Sequence, residues 1–490
     1  MSRLSIIPTM LLAIALPLCT FAQNIDPRIL QVENGLSPHI INAIGENNVP
    51  QHILKRMHST KVQGMGIAVV DNGRIAWSKG YGLKDATSPD SVTVNTLFQC
   101  ASIGKVITAL AAMKLVEQGK IGLDQDINQK LKSWKLPENS FTESKKVTLR
   151  MLLSHSAGLD DGYGFEGYYP GSKIPTLTEM LSARPPANNK KQLEVKTVPG
   201  AQERYSGGGY LIIQQLIEDI SGTTFADYVQ KQFFGPLQME QTTYTHYPDT
   251  ELKMDIARGH EDNGKIDPKR KYNLYPEMAA AGPWTTPTDL AKLIVAIYQA
   301  GKGENKTLPG PELITQMLTP QLNAMGLGLN LKGADQVLGY WHAGNNAGYT
   351  GMLFAITSTG QGAVVLTNSN SGEYLALEVV RSIANAYNWP VMKTITEQPL
   401  ENIQSYLGLY KVGDKAALIF IQQKNGLHFN KVGSKTSYRL YRSADGSFRM
   451  IEKPDNLKFT FQNDDSGNIT GATMYENAGT VNVMVRDTKK

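Results

Sequence analysis

The arrangement that most constrains this chain is a pair of strand-rich regions held far apart by helices. Near the start, Gly64–Gly82 reads as two β-runs flanking Asn72-Gly73, a dipeptide that favours a tight hairpin turn. After Met325 the pattern returns to alternating strands, around Asn345-Asn346 and Thr359-Gly360. Between them, helical periodicity marks 98–119, Val147–Ser156, Tyr210–Ile220, Phe225–Phe234 and Thr288–Ala300, and Glu373–Tyr387 closes the region. A sheet assembled from both ends and packed by the intervening helices is an α+β layout. Beyond Asn388-Trp389-Pro390 and Pro399 the helical period fades. Short β-runs such as Leu418–Gln422, Leu427–Lys431, Leu457–Gln462 and Val481–Arg486 then alternate with turns, predicting a small all-β barrel or sandwich over residues 400–490.

Residues 1–22 fall outside the fold. Arg3, the apolar run Leu11–Leu18 and the small Ala22 before Gln23-Asn24 have the order of a secretory signal peptide, with cleavage placed after Ala22. The run is short for a membrane span. A lipid anchor on Cys19 is disfavoured by Leu18, which stands where a small residue is usual. The chain is therefore expected to be exported, to the periplasm or beyond. Of two cysteines only Cys100 then survives, so no internal disulfide is expected. Nothing near Cys100 resembles a histidine partner, and it reads as a small buried residue. The formal charge of +5 over 490 residues is small and scattered, which argues against nucleic acid. The eight histidines lack metal-ligand spacing, so neither metal nor cofactor is expected. No Gly-x-Ser-x-Gly elbow is present.

Chemistry concentrates at the start of the first long helix. Ser102 sits on or before its first turn, and Lys105 follows one turn later on the same face. A serine hydroxyl needs a neighbouring base, and a buried lysine can serve if burial lowers its pKa. N-capping by Ser102 is the ordinary alternative. Three further stretches bear on the choice. Tyr205-Ser206-Gly207 precedes two more glycines and a helix, placing a phenol at a tight turn. His342-Ala343-Gly344-Asn345 ends a strand with small residues, where a substrate backbone would fit. Leu152–Leu159, LLSHSAGL, has no evident reactive pairing and is expected only to shape the fold.

Together these motifs resemble the serine β-lactamase-related family of class C β-lactamases, penicillin-binding DD-peptidases, D-amino-acid peptidases and esterases. Ser102–Lys105 is similar to its Ser-x-x-Lys, Tyr205-Ser206-Gly207 to its Tyr-x-Asn, and His342-Ala343-Gly344 to its third motif in His-x-Gly form. The likeness covers roughly residues 40–390, and LLSHSAGL is similar to another family segment. It implies an antiparallel sheet flanked by helices with an all-helical lobe, a hydrolase domain over residues 23–395, and a separate β domain over residues 400–490. It also implies roles: Ser102 as nucleophile, Lys105 and Tyr205 sharing the proton transfers, and the N–H groups of Ser102 and Asn345 as oxyanion hole. Two positions depart. Gly207 replaces the asparagine that grips a substrate amide, and His342 replaces a cationic lysine. Cleavage of a peptide, amide or ester, of D-amino-acid peptidase, DD-carboxypeptidase or esterase type, is thus expected over strong β-lactamase activity. A silent penicillin- or peptidoglycan-binding sensor, or a weak β-lactamase, is the alternative. The expected partner is a small-molecule or peptide substrate.

Overall fold

The computed structural model describes residues 26–38, 41–42, 49–159, 165–269, 271–333, 339–424, 426–450, 457–476 and 480–487. The expected signal peptide lies outside them. Strand β1 (Gly64–Asp71) turns through Asn72-Gly73 into β2 (Arg74–Gly82). Both turn residues have positive φ, 50° and 67°, as an Asn-Gly hairpin requires. Strands β3 (Asn330–Lys332), β4 (Gly339–Asn346), β5 (Tyr349–Ile356) and β6 (Gly362–Thr367) complete an antiparallel sheet in the order β2-β1-β6-β5-β4-β3. The two ends of the region therefore meet at the β1–β6 pair.

Both faces of this sheet are covered. Along β1, Ala68 and Val70 join one core while Met65, Ile67 and Val69 join the other, and β6 divides the same way at Val364 and Leu366 against Ala363 and Val365. The second core packs under helix Gly372–Ala386 and the N-terminal helix Pro27–Asn34. The first continues into a helical lobe built on α1 (Gly104–Glu117), α2 (Gly207–Ser221) and α3 (Pro287–Gly301). The periodicity of α1 predicts one buried face. Instead every residue from Gly104 to Met113 is buried, because α1 threads the middle of the lobe with neighbours on all sides.

Several boundaries differ from the sequence reading for local reasons. Helix α2 begins at Gly207, earlier than expected, because the Ser206 hydroxyl accepts from the Gly209 N–H at 2.8 Å and caps it. The helix read over Phe225–Phe234 is an α-helix to Val229 and a π turn beyond it. The turn expected at Asn345-Asn346 falls two residues later, at Ala347-Gly348, since β4 runs through Asn346.

The C-terminal strands, from Gly408–Val412 to Thr480–Arg486, form an eight-stranded antiparallel meander. It closes when Lys411 pairs with Val485, so the form is a barrel and leaves no open sheet edge. Tyr410, Phe420, Phe429, Phe448 and Phe459 fill it. Trp389, read as part of a boundary, is fully buried in the second core and stacks on Phe354. The following segment docks on the barrel, where the Gln398 N–H donates to the Arg442 carbonyl.

Candidate active site

Ser102 occupies a single 3₁₀ turn, Ala101–Ile103, that feeds α1. Ala101 has φ of +49°, a left-handed conformation that costs an alanine energy and persists only where its surroundings impose it. Strand β4 supplies that constraint. A Cβ on Gly344 would lie 2.2 Å from the Cys100 carbonyl oxygen, so the strand reaches the serine turn only because position 344 has no side chain. Ser102 is half-buried.

Lys105 is 1% exposed, and its Nζ lies 3.0 Å from Ser102 Oγ. The amine also donates to the Ala280 carbonyl at 2.7 Å. That carbonyl belongs to a short helix, Met278–Ala281, which is held to α1 where Thr108 Oγ1 donates to the Ala279 carbonyl at 2.7 Å. The amine therefore has a fixed position beside the hydroxyl, set by backbone on one side and by a helical turn on the other.

Tyr205 brings its ring to the same point, with Lys105 Nζ 5.0 Å from the ring centroid. Its support is His155, whose ring stacks on Tyr205 at 4.3 Å and 28°. His155 Nδ1 accepts from the Ser206 N–H at 3.1 Å, and its carbonyl accepts from the Arg204 N–H at 2.7 Å. The tyrosine is thus gripped on both sides through its neighbours. His155 is held neutral, its pKa well below the usual histidine value, first by burial and then by the Lys105 charge. The LLSHSAGL segment therefore does more than shape the fold: it seats Tyr205. That support leaves no mark in the sequence, because His155 meets Tyr205 and Ser206 only in the folded chain.

His342 lies on β4, buried, with its ring centroid 6.5 Å from that of Tyr205. Burial and then the Lys105 charge push its pKa down to about 3, against the opposing hydrogen bond from Nδ1 to the Ala343 carbonyl at 2.6 Å. A neutral imidazole stands here, with no positive charge to offer a substrate carboxylate. Asn345 is exposed near the end of β4. Strand β3 pairs only with Gly339–Trp341, so among the described residues no strand covers that edge of β4 from His342 to Asn346. Gly207 lies against Phe165, whose ring carbon would be 2.9 Å from an added Cβ. An asparagine at position 207 would collide with that ring. Cys100 is fully buried and its thiol is pushed up to about 12, which disfavours the thiolate a nucleophile needs.

Residues 49–386 match the family model described as Beta-lactamase. The chain belongs to the beta-lactamase family. The sheet with its helical lobe has that family's architecture. A teichoic acid D-alanine hydrolase of Staphylococcus aureus is 26% identical over 269 residues, 54% of this chain. The match spans 62% of that relative's own length, less than two thirds. Two solved structures share the fold. A penicillin-binding protein homologue from Pyrococcus abyssi, described as octameric, superposes with a TM-score of 0.56 at 20% identity, over 89% of this chain and 97% of that one. A D-amino acid amidase from Ochrobactrum anthropi SV3 gives a TM-score of 0.56 at 22% identity, over 69% and 97%.

One polar residue at the site escapes the sequence motifs. Glu277 is 2% exposed and immediately precedes the Met278–Ala281 helix that holds Lys105. Its only trace in the sequence is a lone acid between Tyr275-Pro276 and the apolar Met278-Ala279-Ala280-Ala281.

Proposed function

We propose that this chain cleaves D-aminoacyl esters or amides through an acyl-enzyme on Ser102. The observation that carries the reading is the 3.0 Å approach of the buried Lys105 amine to the Ser102 hydroxyl. Ser102 Oγ attacks the substrate carbonyl while Lys105 and Tyr205 relay its proton, which leaves with the departing alcohol or amine. The N–H groups of Ser102 and Asn345 stabilise the oxyanion. A water molecule then attacks the acyl-enzyme, giving up its proton through the same pair and releasing the acid and the free serine. Substrate backbone lies along the open edge of β4.

The substrate class rests on two supports. The relatives named above are a D-alanine hydrolase and a D-amino acid amidase. The neutral, buried His342 gives no cationic clamp, which disfavours β-lactams and peptides read by a terminal carboxylate. Residues 1–22 are proposed as an export signal, residues 23–395 as the hydrolase domain, and residues 400–490 as a second domain. The test is a panel of D-alanyl ester, D-alanyl amide, L-alanyl ester, D-Ala-D-Ala peptide and nitrocefin. Turnover should be greatest on the D-aminoacyl ester or amide and should vanish in Ser102→Ala with its fold intact. Preference for nitrocefin or for D-Ala-D-Ala would overturn the substrate assignment, and activity surviving in Ser102→Ala would overturn the nucleophile.

A further inference from the structure

A cavity of about 370 Å³ is walled by Phe165, Met180, Gly208 and Leu211 and has Glu277 in its lining. Three connections tie it to the site. Phe165 lies against Gly207, two residues after Tyr205. Gly208 is the next residue along α2. Glu277 is three residues before Ala280, whose carbonyl holds the Lys105 amine at 2.7 Å.

The Glu277 carboxyl takes a hydrogen bond from its own backbone N–H, which leaves its second oxygen to be accounted for. It stands at the N-cap of Met278–Ala281, yet its side chain makes no capping hydrogen bond. Its Oε2 is buried and has no hydrogen-bond partner among the described residues. A buried carboxyl oxygen left unsatisfied is costly, and a ligand that completes it recovers that cost.

We infer that Glu277 is the subsite for the α-ammonium of an aminoacyl substrate, with the apolar walls of the cavity around the acyl side chain. The inference rests on the aminoacyl hydrolase reading above and names the part of the substrate that this cavity recognises. A primary ammonium offers donors to a carboxylate, and the apolar walls strengthen the pair relative to water. Burial pushes the Glu277 carboxyl up to about 8, against the hydrogen bond from its own backbone N–H, and a cation seated beside it would favour the carboxylate. Of the other charged residues in the lining, Lys190, Lys191, Lys196 and Glu166 are exposed and Glu194 is half-buried, so water screens their charge more than that of the buried Glu277.

The experiment compares two esters of one leaving alcohol, D-alanyl and propionyl, which differ only in the α-ammonium. The full chain and Glu277→Gln, which preserves side-chain volume, are each assayed for kcat/KM on both. Using the ratio of the two values cancels any difference in the folded fraction. The parent ratio should favour the D-alanyl ester and should fall by about tenfold or more in Glu277→Gln. A fall smaller than about threefold overturns the assignment. If the parent chain shows no Ser102-dependent turnover of either ester, the hydrolase reading itself fails, and the two failures are thus told apart.

Discussion

His155→Phe isolates the role of the histidine that seats Tyr205. The substitution keeps an aromatic ring under Tyr205, where the rings now stack at 4.3 Å, and removes only the acceptor for the Ser206 N–H at 3.1 Å. A buried N–H stripped of its acceptor costs about 1–3 kcal/mol, and the nearly isosteric ring exchange adds less than about 1.5 kcal/mol. If the chain relieves that penalty locally, the Arg204–Ser206 turn opens and Tyr205 leaves the Lys105 amine. Each 1.4 kcal/mol of such opening removes about tenfold of the competent state, so kcat should fall by about tenfold to a hundredfold. The assay is kcat and KM on the best ester, with a thermal melt of the same preparation. Binding contacts are untouched, so KM should change by less than about threefold. A lowered melting temperature with kcat unchanged would refute the reasoning, because His155 would then serve stability without positioning the tyrosine.

Two further outcomes follow from the geometry. Gly344→Ala places a Cβ where the Cys100 carbonyl oxygen now stands 2.2 Å away, so β4 must withdraw from the serine turn. Esterase activity should fall by about a hundredfold, read as kcat/KM alongside circular dichroism to confirm the fold; activity near that of the parent would show that the strand need not approach so closely. His342 gives a pH dependence. Its folded pKa of about 3 lies below the ordinary 6.5, so the unfolded chain takes up a proton that the folded chain refuses as pH falls between those values. That contribution to stability is whole above pH 6.5 and is lost towards pH 3, at up to about 1.4 kcal/mol per pH unit. Denaturant unfolding at pH 7.5 and 5.5 should therefore show a smaller acid loss in His342→Gln than in the parent. Equal losses would mean that His342 is protonated in the folded chain.

The sequence discloses those features that are local. Asn72-Gly73 announces its hairpin because both residues tolerate positive φ, and Ser102 and Lys105 announce theirs because one helical turn fixes their spacing. The barrel strands are legible by alternation, but the closing pair Lys411–Val485 joins the two ends of the barrel and leaves no local trace. His155 is the same kind of case: a left-handed residue in a loop, with φ of 54°, that meets Tyr205 only through tertiary packing. The loop-rich stretch from Asp160 to Gly200 reads by composition as a binding surface, a lid or a plain connection; Asn188 and Leu193 from it line the cavity, while residues 160–164 lie outside the described ones. Gly207 reads as a lost contact, and Phe165 supplies the steric reason that no local pattern could provide.

Mass spectrometry of the acyl-enzyme bears most directly on the central claim that Ser102 and Lys105 work as one nucleophilic pair. The chain is quenched in acid during turnover of a D-alanyl ester and its peptides are mapped. The account predicts a D-alanyl adduct on the peptide carrying Ser102, absent from Ser102→Ala and strongly reduced in Lys105→Ala. An adduct on another residue, or one on Ser102 that forms equally well without Lys105, would contradict it.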